Sequence, residues 1–417
     1  MRTDLSRSLT RQEASNMNRA AVTPWHLVPA GLAIVAATYG LARYTYGLFL
    51  PDIRSDLGLS LDVLGLIGSL SYAGYLVATL AGSVIAGSLG PRLPVVLGGL
   101  AATAGMALIA ASRGPWLLAA GVFLAGTSPG LAYPPLSDAV ARLIAAPQQA
   151  RTYALINAGT SVGVIVAGPV ALLVADDWRL AWLAFAGFAA VATAWNAPLM
   201  PRGPYPGVHG GPQPLALPWL INRRSLPLFA AATLFGLATA VYWTFAVDLV
   251  THHGGLPDAG TRAFWVLMGA AGLLGGAAGD LVRRYGLRGT FTAAVLACAG
   301  AILLLAVCPH TPAPVLLSGT LFGATFILVT GLFGIWSVHT FPERPSAGFG
   351  ATFFLISAGQ LVAPTVAGLL GARLGLASAF LLAATLSVVC VPLAPRQAIH
   401  TMLPATDTNP TTAGERH

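Results

Sequence analysis

Charged residues are scarce in this chain. They make up 9% of its 417 residues, whereas a soluble protein of this size carries about 25%. Hydrophobic residues make up 56%, and apolar runs of about 20 residues recur along the whole length, each long enough to cross a bilayer as a helix. This composition excludes a water-soluble protein with one buried core. It predicts an all-α membrane protein that crosses the bilayer many times.

Lysine is absent, because all 22 basic residues are arginine. A formal net charge of +8 is compatible with nucleic-acid binding. The arginines, however, lie in short segments between apolar runs, which is the pattern that sets the orientation of a membrane protein. We therefore expect contact with the lipid bilayer and no binding of nucleic acid.

Cysteine is scarce too. Cys298, Cys308 and Cys390 all lie in or beside apolar runs, and their spacing indicates neither a metal site nor a disulfide framework. No zinc-protease motif, nucleophile elbow or phosphate-binding loop is found. We predict no metal, no cofactor and no enzymatic activity, and ATP is not expected as a direct energy source.

Hydropathy and length predict twelve membrane spans. An even number places both chain ends on one side, and that side holds ten of the loop arginines against five on the other, which favours cytoplasmic ends. The predicted spans are 27–50, 62–86, 93–111, 115–140, 150–175, 178–199, 226–250, 262–281, 290–308, 314–338, 347–371 and 374–394.

Polar segments divide the spans into two halves. Residues 1–26 and 395–417 are predicted to be disordered cytoplasmic tails, with Met17 as a second candidate start. The six spans of 27–199 form an N-terminal half and those of 226–394 a C-terminal half. Residues 200–225 are rich in proline and glycine and are predicted to be a cytoplasmic linker between the halves.

The two halves repeat each other in sequence. Gly40-Leu41-Ala42 recurs as Gly236-Leu237-Ala238, and at the same spacing Tyr46 corresponds to Tyr242 and Asp52 to Asp248. The main difference is Arg43, which corresponds to Thr239. Parallel six-helix repeats related by an axis normal to the membrane are a transporter architecture.

One loop of each half carries a recognisable motif. The segment Gly279–Arg288 resembles the loop signature Gly-x-Leu-Ala-Asp-Arg-x-Gly-Arg-Arg of the major facilitator superfamily, with Arg283 in place of the signature aspartate. A weaker copy follows the second span, where Gly90 and Arg92 match the last glycine and the last arginine. The stretch Arg43–Pro51 further resembles the YbfB/YjiJ-like branch of that superfamily.

The resemblance implies alternating access, in which two six-helix halves rock about a central site lined by spans 1, 4, 7 and 10. The signature loops would lock the cytoplasmic side while the site faces outward. Asp138, at the cytoplasmic end of span 4, is expected to pair with Arg92 or Arg151 as a latch. The candidate gating residues are Gly90, Arg92, Asp138, Asp280, Arg283, Arg284, Gly286 and Arg288.

Arg43 lies near the middle of the first span. A charge there costs about 2.5–3.5 kcal/mol on insertion scales and so marks a candidate functional site. Tyr39 and Tyr46, at i−4 and i+3, share its helix face. Arg43 either binds an anionic group or sets the geometry of the bundle, and the sequence leaves both open. The other candidate substrate-binding residues are Tyr133, Asn157, Tyr242, Trp243, Trp336 and Gln360.

We therefore predict a monomeric secondary active transporter of a small organic solute in the inner membrane, with an anionic or amphiphilic cargo favoured. One alternative is an efflux pump for hydrophobic metabolites or drugs. Another is a receptor or scaffold with a transporter fold. A proton is a candidate co-transported ion, although few carboxylates lie at membrane depth and Asp248 is expected only at the rim.

Overall fold

A computed structural model of the chain describes residues 24–174, 177–203, 217–254 and 256–395. Within these ranges the chain is helical almost throughout, and no strand is found. Eleven uninterrupted helical stretches are long and apolar enough to cross a membrane. The predicted tails lie almost entirely outside the described residues, as does half of the predicted linker, residues 204–216.

The longest stretch contains two crossings. Ala259–Val307 has 49 residues, whose length at 1.5 Å per residue is about 74 Å, more than twice the hydrocarbon thickness of a bilayer. Gly286 breaks it with φ 73° and ψ 159°, a conformation that glycine adopts without the clash a Cβ would cause. The described residues therefore contain twelve membrane helices, and the predicted fold class is confirmed.

The twelve helices are numbered in chain order, and the predicted spans match them to within several residues. Their bounds are α1 24–47, α2 Leu61–Leu89, α3 Arg92–Ala111, α4 Pro115–Leu143, α5 Ala146–Leu173, α6 Trp178–Leu199, α7 Ser225–His252, α8 258–285, α9 287–307, α10 Pro312–Thr340, α11 Pro345–Leu374 and α12 Leu376–Leu393.

The two halves, α1–α6 and α7–α12, meet along two extensive contacts. α2 packs against α11, and α5 packs against α8. Glycines allow these helices to approach closely: a Cβ on Gly65 would collide with the carbonyl oxygen of Pro364, and one on Gly269 would lie 2.9 Å from the backbone nitrogen of Ile165. Both contacts involve the ends of the helices that lie away from the chain ends, and we call this the outer end of the bundle.

Helix α1 is irregular where it carries Arg43. It is α-helical over Pro24–Val35, π-helical over Ala36–Tyr44 and 3₁₀-helical over Thr45–Gly47, and a short helix, Leu50–Leu57, follows. A π-helical turn holds more residues than an α-helical one, so side chains in this segment do not follow the 3.6-residue period. The face of α1 that surrounds Arg43 therefore differs from the face that a regular helix would present.

Candidate functional site

Four tyrosine rings surround the guanidinium of Arg43, whose side chain is buried with 6% of its surface exposed. The Cζ atom lies 4.0 Å from the centre of the Tyr75 ring, 5.0 Å from Tyr72, 5.5 Å from Tyr44 and 5.7 Å from Tyr39. A cation within about 6 Å of such a ring is attracted to its π face. We call these four residues the tyrosine cage.

No carboxylate of the described residues forms an ion pair with Arg43. Its hydrogen-bond partner is an amide instead: Nη2 donates to Oε1 of Gln360 over 2.9 Å. Gln360 lies in α11 and is 1% exposed, so this buried bond joins the two halves. The positive charge at the centre of the bundle is therefore held by neutral groups alone.

Two donors of the Arg43–Gln360 pair have no hydrogen-bond partner among the described residues. They are Nε of Arg43 and Nε2 of Gln360, and both atoms are buried. A buried donor without an acceptor costs about 1–3 kcal/mol. An acceptor group that binds between Arg43 and Gln360 would therefore gain more binding free energy than it would at a site whose donors are already bonded.

Aromatic side chains extend the site to further helices. Tyr44 stacks on Trp243 of α7 with ring centres 4.3 Å apart, and Trp243 meets Phe326 of α10 at 5.3 Å. On the opposite side, Tyr39 meets Tyr133 of α4 at 5.7 Å. Side chains from α1, α4, α7 and α10, which the resemblance implied as the lining of a central site, thus meet around Arg43 together with α2 and α11.

Five of the predicted substrate-binding residues come together in this way: Arg43, Tyr39, Tyr133, Trp243 and Gln360. The other four lie elsewhere. Tyr46 donates its hydroxyl to the carbonyl oxygen of Leu64 over 3.1 Å. Tyr242 bonds Ser318 within the C-terminal half, Trp336 packs on Phe291 and Phe333, and Asn157 is exposed.

Three members of the cage were not predicted. Tyr44 directly follows Arg43, and the irregular turn of α1 brings it beside the guanidinium while Tyr46 turns away. Tyr72 and Tyr75 come from α2, where their spacing of three residues places them on one helix face. That pair was the signal in the sequence, since two phenols on one face of a membrane helix can surround a cation from a neighbouring helix.

The predicted gating residues lie on the side of the chain ends, where Gly90 and Gly286 form turns and the others lie near the ends of α3, α4, α8 and α9. Gly90 and Gly286, with φ of 86° and 73°, occupy repeat-related positions after α2 and α8. Arg283 forms an ion pair with Asp280 one turn away, and the guanidinium of Arg284 lies 5.2 Å from the ring centre of Tyr285. Among the described residues Asp138 is exposed and pairs with neither Arg92 nor Arg151, while Arg288 is exposed.

An ion pair joins the halves at the outer end. Nη1 of Arg54, in the short helix after α1, lies 2.9 Å from Oδ2 of Asp248 in α7. Asp248 is completely buried, and Nδ1 of His252 lies 3.2 Å from its second oxygen. The sequence placed Asp248 at the rim without this partner. With the α2–α11 and α5–α8 contacts, the ion pair closes the outer end.

The comparisons with known proteins agree with this architecture. Residues 32–364 match the model of the Major Facilitator Superfamily. The "Transcription regulatory protein OpdE" of Pseudomonas aeruginosa is 26% identical over 388 residues, covering 90% of this chain and 94% of that protein. The "Chloramphenicol resistance protein" of Streptomyces lividans is 30% identical over 391 residues, covering 90% of this chain and 97% of that protein.

Solved structures show the same fold. The nucleoside transporter NupG, in a mutant form, aligns with a TM-score of 0.74 at 13% identity, covering 88% of this chain and 98% of its own. A POT family transporter in complex with 5-aminolevulinic acid aligns with a TM-score of 0.72 at 14% identity, covering 89% and 94%. Since the family model matches most of the chain and the twelve-helix bundle agrees with it, this protein belongs to the major facilitator superfamily and is a membrane transporter.

Proposed function

We propose that this transporter is a secondary active carrier of a small organic anion and that Arg43 binds the anionic group. The observation that carries the proposal is the buried guanidinium, with which no carboxylate of the described ranges forms an ion pair. A charge at membrane depth is expensive, and an anionic cargo would neutralise it. Arg43 presents a planar fork of donors that suits a carboxylate or a phosphate.

The contacts between the halves support alternating access. In this structure the outer end is closed by the Arg54–Asp248 ion pair and by the α2–α11 and α5–α8 contacts. The Arg43–Gln360 bond lies further inside, also between the halves. We infer that cargo reaches Arg43 from the side of the chain ends in this state, and that separation of the outer contacts gives access from the opposite side.

The finer points of the proposal follow from the arginine distribution and the chemistry of the site. We infer that the protein lies in the cell's inner membrane as a monomer with both chain ends in the cytoplasm, and that it releases its cargo chemically unchanged. An acid that carries its own proton would couple flux to pH without a carboxylate beside Arg43.

A second candidate is efflux of a hydrophobic drug. It is favoured by the 30% identity with a chloramphenicol resistance protein and by the aromatic wall of Tyr44, Trp243 and Phe326. A neutral aromatic cargo could stack on this wall without using the charge of Arg43. The two candidates therefore differ in whether binding depends on the guanidinium.

The deciding experiment measures binding and then flux. Purified protein is screened by thermal shift against acetate, benzoate, 1-naphthoate and chloramphenicol, and the monocarboxylate with the largest shift is followed in proteoliposomes. Arg43→Gln should remove its binding and flux while the variant still elutes as an assembled protein. Arg373→Gln, which neutralises an exposed arginine at the end of α11, is the matched control and should behave as wild type.

Three results would contradict the anion proposal. The first is a wild-type protein that responds to none of the carboxylates. The second is an assembled Arg43→Gln variant with unchanged carboxylate flux. The third is a chloramphenicol response equal in wild type and Arg43→Gln, without any carboxylate response, which would favour drug efflux. Binding without flux would favour the receptor alternative.

A further inference from the structure

We propose that Gln360 is a cargo-exchange residue: its amide oxygen occupies Arg43 in the empty site, and the carboxylate of the cargo replaces it, which releases α11 from α1. This inference rests on the proposed function, because it requires that an anion binds to Arg43. It adds the residue through which binding would act on the contact between the halves, and it narrows the cargo to carboxylates.

The hydrogen-bond chemistry fixes which end of the amide faces Arg43. A guanidinium has only donors, so it must meet the amide oxygen, and Nη2 donates to Oε1 over 2.9 Å. Nε and Nη2 lie on the same edge of the planar guanidinium, and a carboxylate can bond to that edge with both of its oxygens. Gln360 supplies one oxygen and uses Nη2, while Nε has no partner in the part of the chain that the structure describes. The edge is therefore half occupied.

The unpaired nitrogen of Gln360 indicates the next step. Nε2 is buried, and no acceptor for it is found within the described ranges. Once a carboxylate bonds to both Nε and Nη2 of Arg43, the amide oxygen has lost its donor, and rotation of the amide can direct Nε2 towards the cargo. The cargo would then accept from both halves at once, and the direct bond between Arg43 and Gln360 would be gone.

The backbone of Gln360 is held within its own half. Gly236 of α7 packs so closely on α11 that a Cβ there would lie 3.2 Å from the backbone nitrogen of Gln360 and would collide with the carbonyl oxygen of Ile356. Loss of the bond to Arg43 therefore changes the attachment between the halves, whereas the packing of α11 on α7 stays as it is.

This arrangement also discriminates between ligands. A neutral amide or alcohol supplies one acceptor and can at best repeat the bond that Gln360 already makes. A carboxylate supplies two coplanar acceptors and a charge, so it gains a bond that Gln360 cannot make. We therefore expect carboxylates to exceed their own amides in affinity by at least about tenfold, the difference expected for one charge-assisted hydrogen bond.

The test replaces Gln360 with a residue whose own carboxylate competes with the cargo for Arg43. In Gln360→Glu the new carboxylate can bond to both Nε and Nη2, so the monocarboxylate found by thermal shift should lose at least about tenfold in affinity. Gln148→Glu makes the same chemical change at an exposed position in the first turn of α5 and should bind as wild type. The discrimination between ligands is tested on the wild-type protein by comparing its affinity for benzoate with its affinity for benzamide. If another acid is found by thermal shift, that acid is compared with its own amide.

A second readout follows the contact between the halves. Ser69 of α2 bonds Thr365 of α11 across the outer interface at 2.8 Å. In a background without Cys298, Cys308 and Cys390, a cysteine introduced by Ser69→Cys reports access of an impermeant thiol reagent from the outer side. The carboxylate should change its labelling in the wild-type background and should not change it with Gln360→Glu or with Gln360→Asn, which is one methylene too short to reach Arg43.

The outcomes separate the two proposals. If Arg43→Gln abolishes carboxylate flux but both Gln360 variants keep the wild-type affinity and the wild-type labelling response, the exchange role of Gln360 is overturned while the anion proposal stands. If Arg43→Gln keeps its flux, both are overturned. If Gln360→Glu does not assemble, the labelling response of Gln360→Asn decides.

Discussion

Arg43 keeps its charge inside the bundle through the rings around it. Four phenol rings lie within 5.7 Å of its Cζ atom, and the closest belongs to Tyr75. Each desolvated contact of this kind contributes about 1–2 kcal/mol, so the rings together offset a large part of the cost of the buried charge. The cage thus leaves the guanidinium stable yet without a counter-ion.

Substitution of Tyr75 tests the cage. Tyr75→Leu should lower the thermal stability of the assembled protein and weaken carboxylate binding by about five- to thirtyfold, because one cation–π contact of about 1–2 kcal/mol is lost. Tyr75→Phe keeps the ring and removes only a 3.4 Å hydroxyl contact with Tyr39, so it should stay close to wild type. Equal losses in both variants would show that the hydroxyl, not the ring, matters.

Part of the site could be predicted from single residues. Arg43 and Gln360 were identified because a charge or an amide is expensive in a membrane helix and needs a reason to be there. Tyr46 was assigned to the Arg43 face by the 3.6-residue period, which the π-helical segment of α1 does not follow. The i, i+3 spacing of Tyr72 and Tyr75 marks them as a pair on one face of α2, but no local pattern gives the distance between α1 and α2, so the spacing alone does not show that this face meets Arg43.

At the scale of elements, α1 is held in place by a backbone contact with α5. A Cβ on Gly163 would lie 2.5 Å from the carbonyl oxygen of Ala36 and 2.8 Å from the Cα of Gly40. The contact falls on the π-helical segment that carries Arg43. The position of the guanidinium therefore depends on two glycines that never touch it.

Gly163→Ala should destabilise the protein by about 1–3 kcal/mol, because the helices must separate to admit the methyl group. The measurement is thermal unfolding in detergent, followed by carboxylate affinity. Gly187→Ala is the matched control, since a Cβ on that glycine of α6 meets no atom within 4 Å. A Gly163→Ala variant as stable as Gly187→Ala would show that the α1–α5 contact is looser than described.

The twelve helices were predictable because hydropathy and length are local properties. Even the 49-residue stretch was divided correctly into two spans, since the polar segment around Arg283 and Arg284 interrupts its apolar sequence. The irregular turns of α1 were not predictable, because the apolar pattern of the segment fits a regular helix and no feature of its sequence marks where the π-helical turn begins.

At the scale of the whole molecule, one ion pair distinguishes the two repeats. Asp52 and Asp248 occupy corresponding positions, yet Asp52 is exposed and Asp248 is buried against Arg54 of the other half. The sequence could not reveal the pair, because its members lie in different halves, 194 residues apart.

Asp248→Asn should weaken the closed state of the outer end. Loss of one partner of a fully buried ion pair costs about 3–5 kcal/mol, and the loss here should be smaller because Arg54 is already partly hydrated; the substitution removes its attraction to α7. The expected result is faster labelling of a cysteine introduced by Ser69→Cys, without any cargo. Asp56→Asn is the control, because Asp56 pairs with Arg179 at 2.7 Å within one half. Equal labelling in both variants would contradict a gating role for Asp248.

Arg43 occupies the position that corresponds to Thr239 in the other repeat, and this difference also has an electrical consequence. Once a monoanion is bound, the centre of the bundle is neutral, so the loaded carrier reorients without moving net charge, whereas the empty carrier moves a positive one through part of the field. A potential of 100 mV acts on one elementary charge with about 2.3 kcal/mol over the full membrane. A voltage negative inside draws the empty site inward, and a polarised cell would therefore favour export of the anion over its uptake.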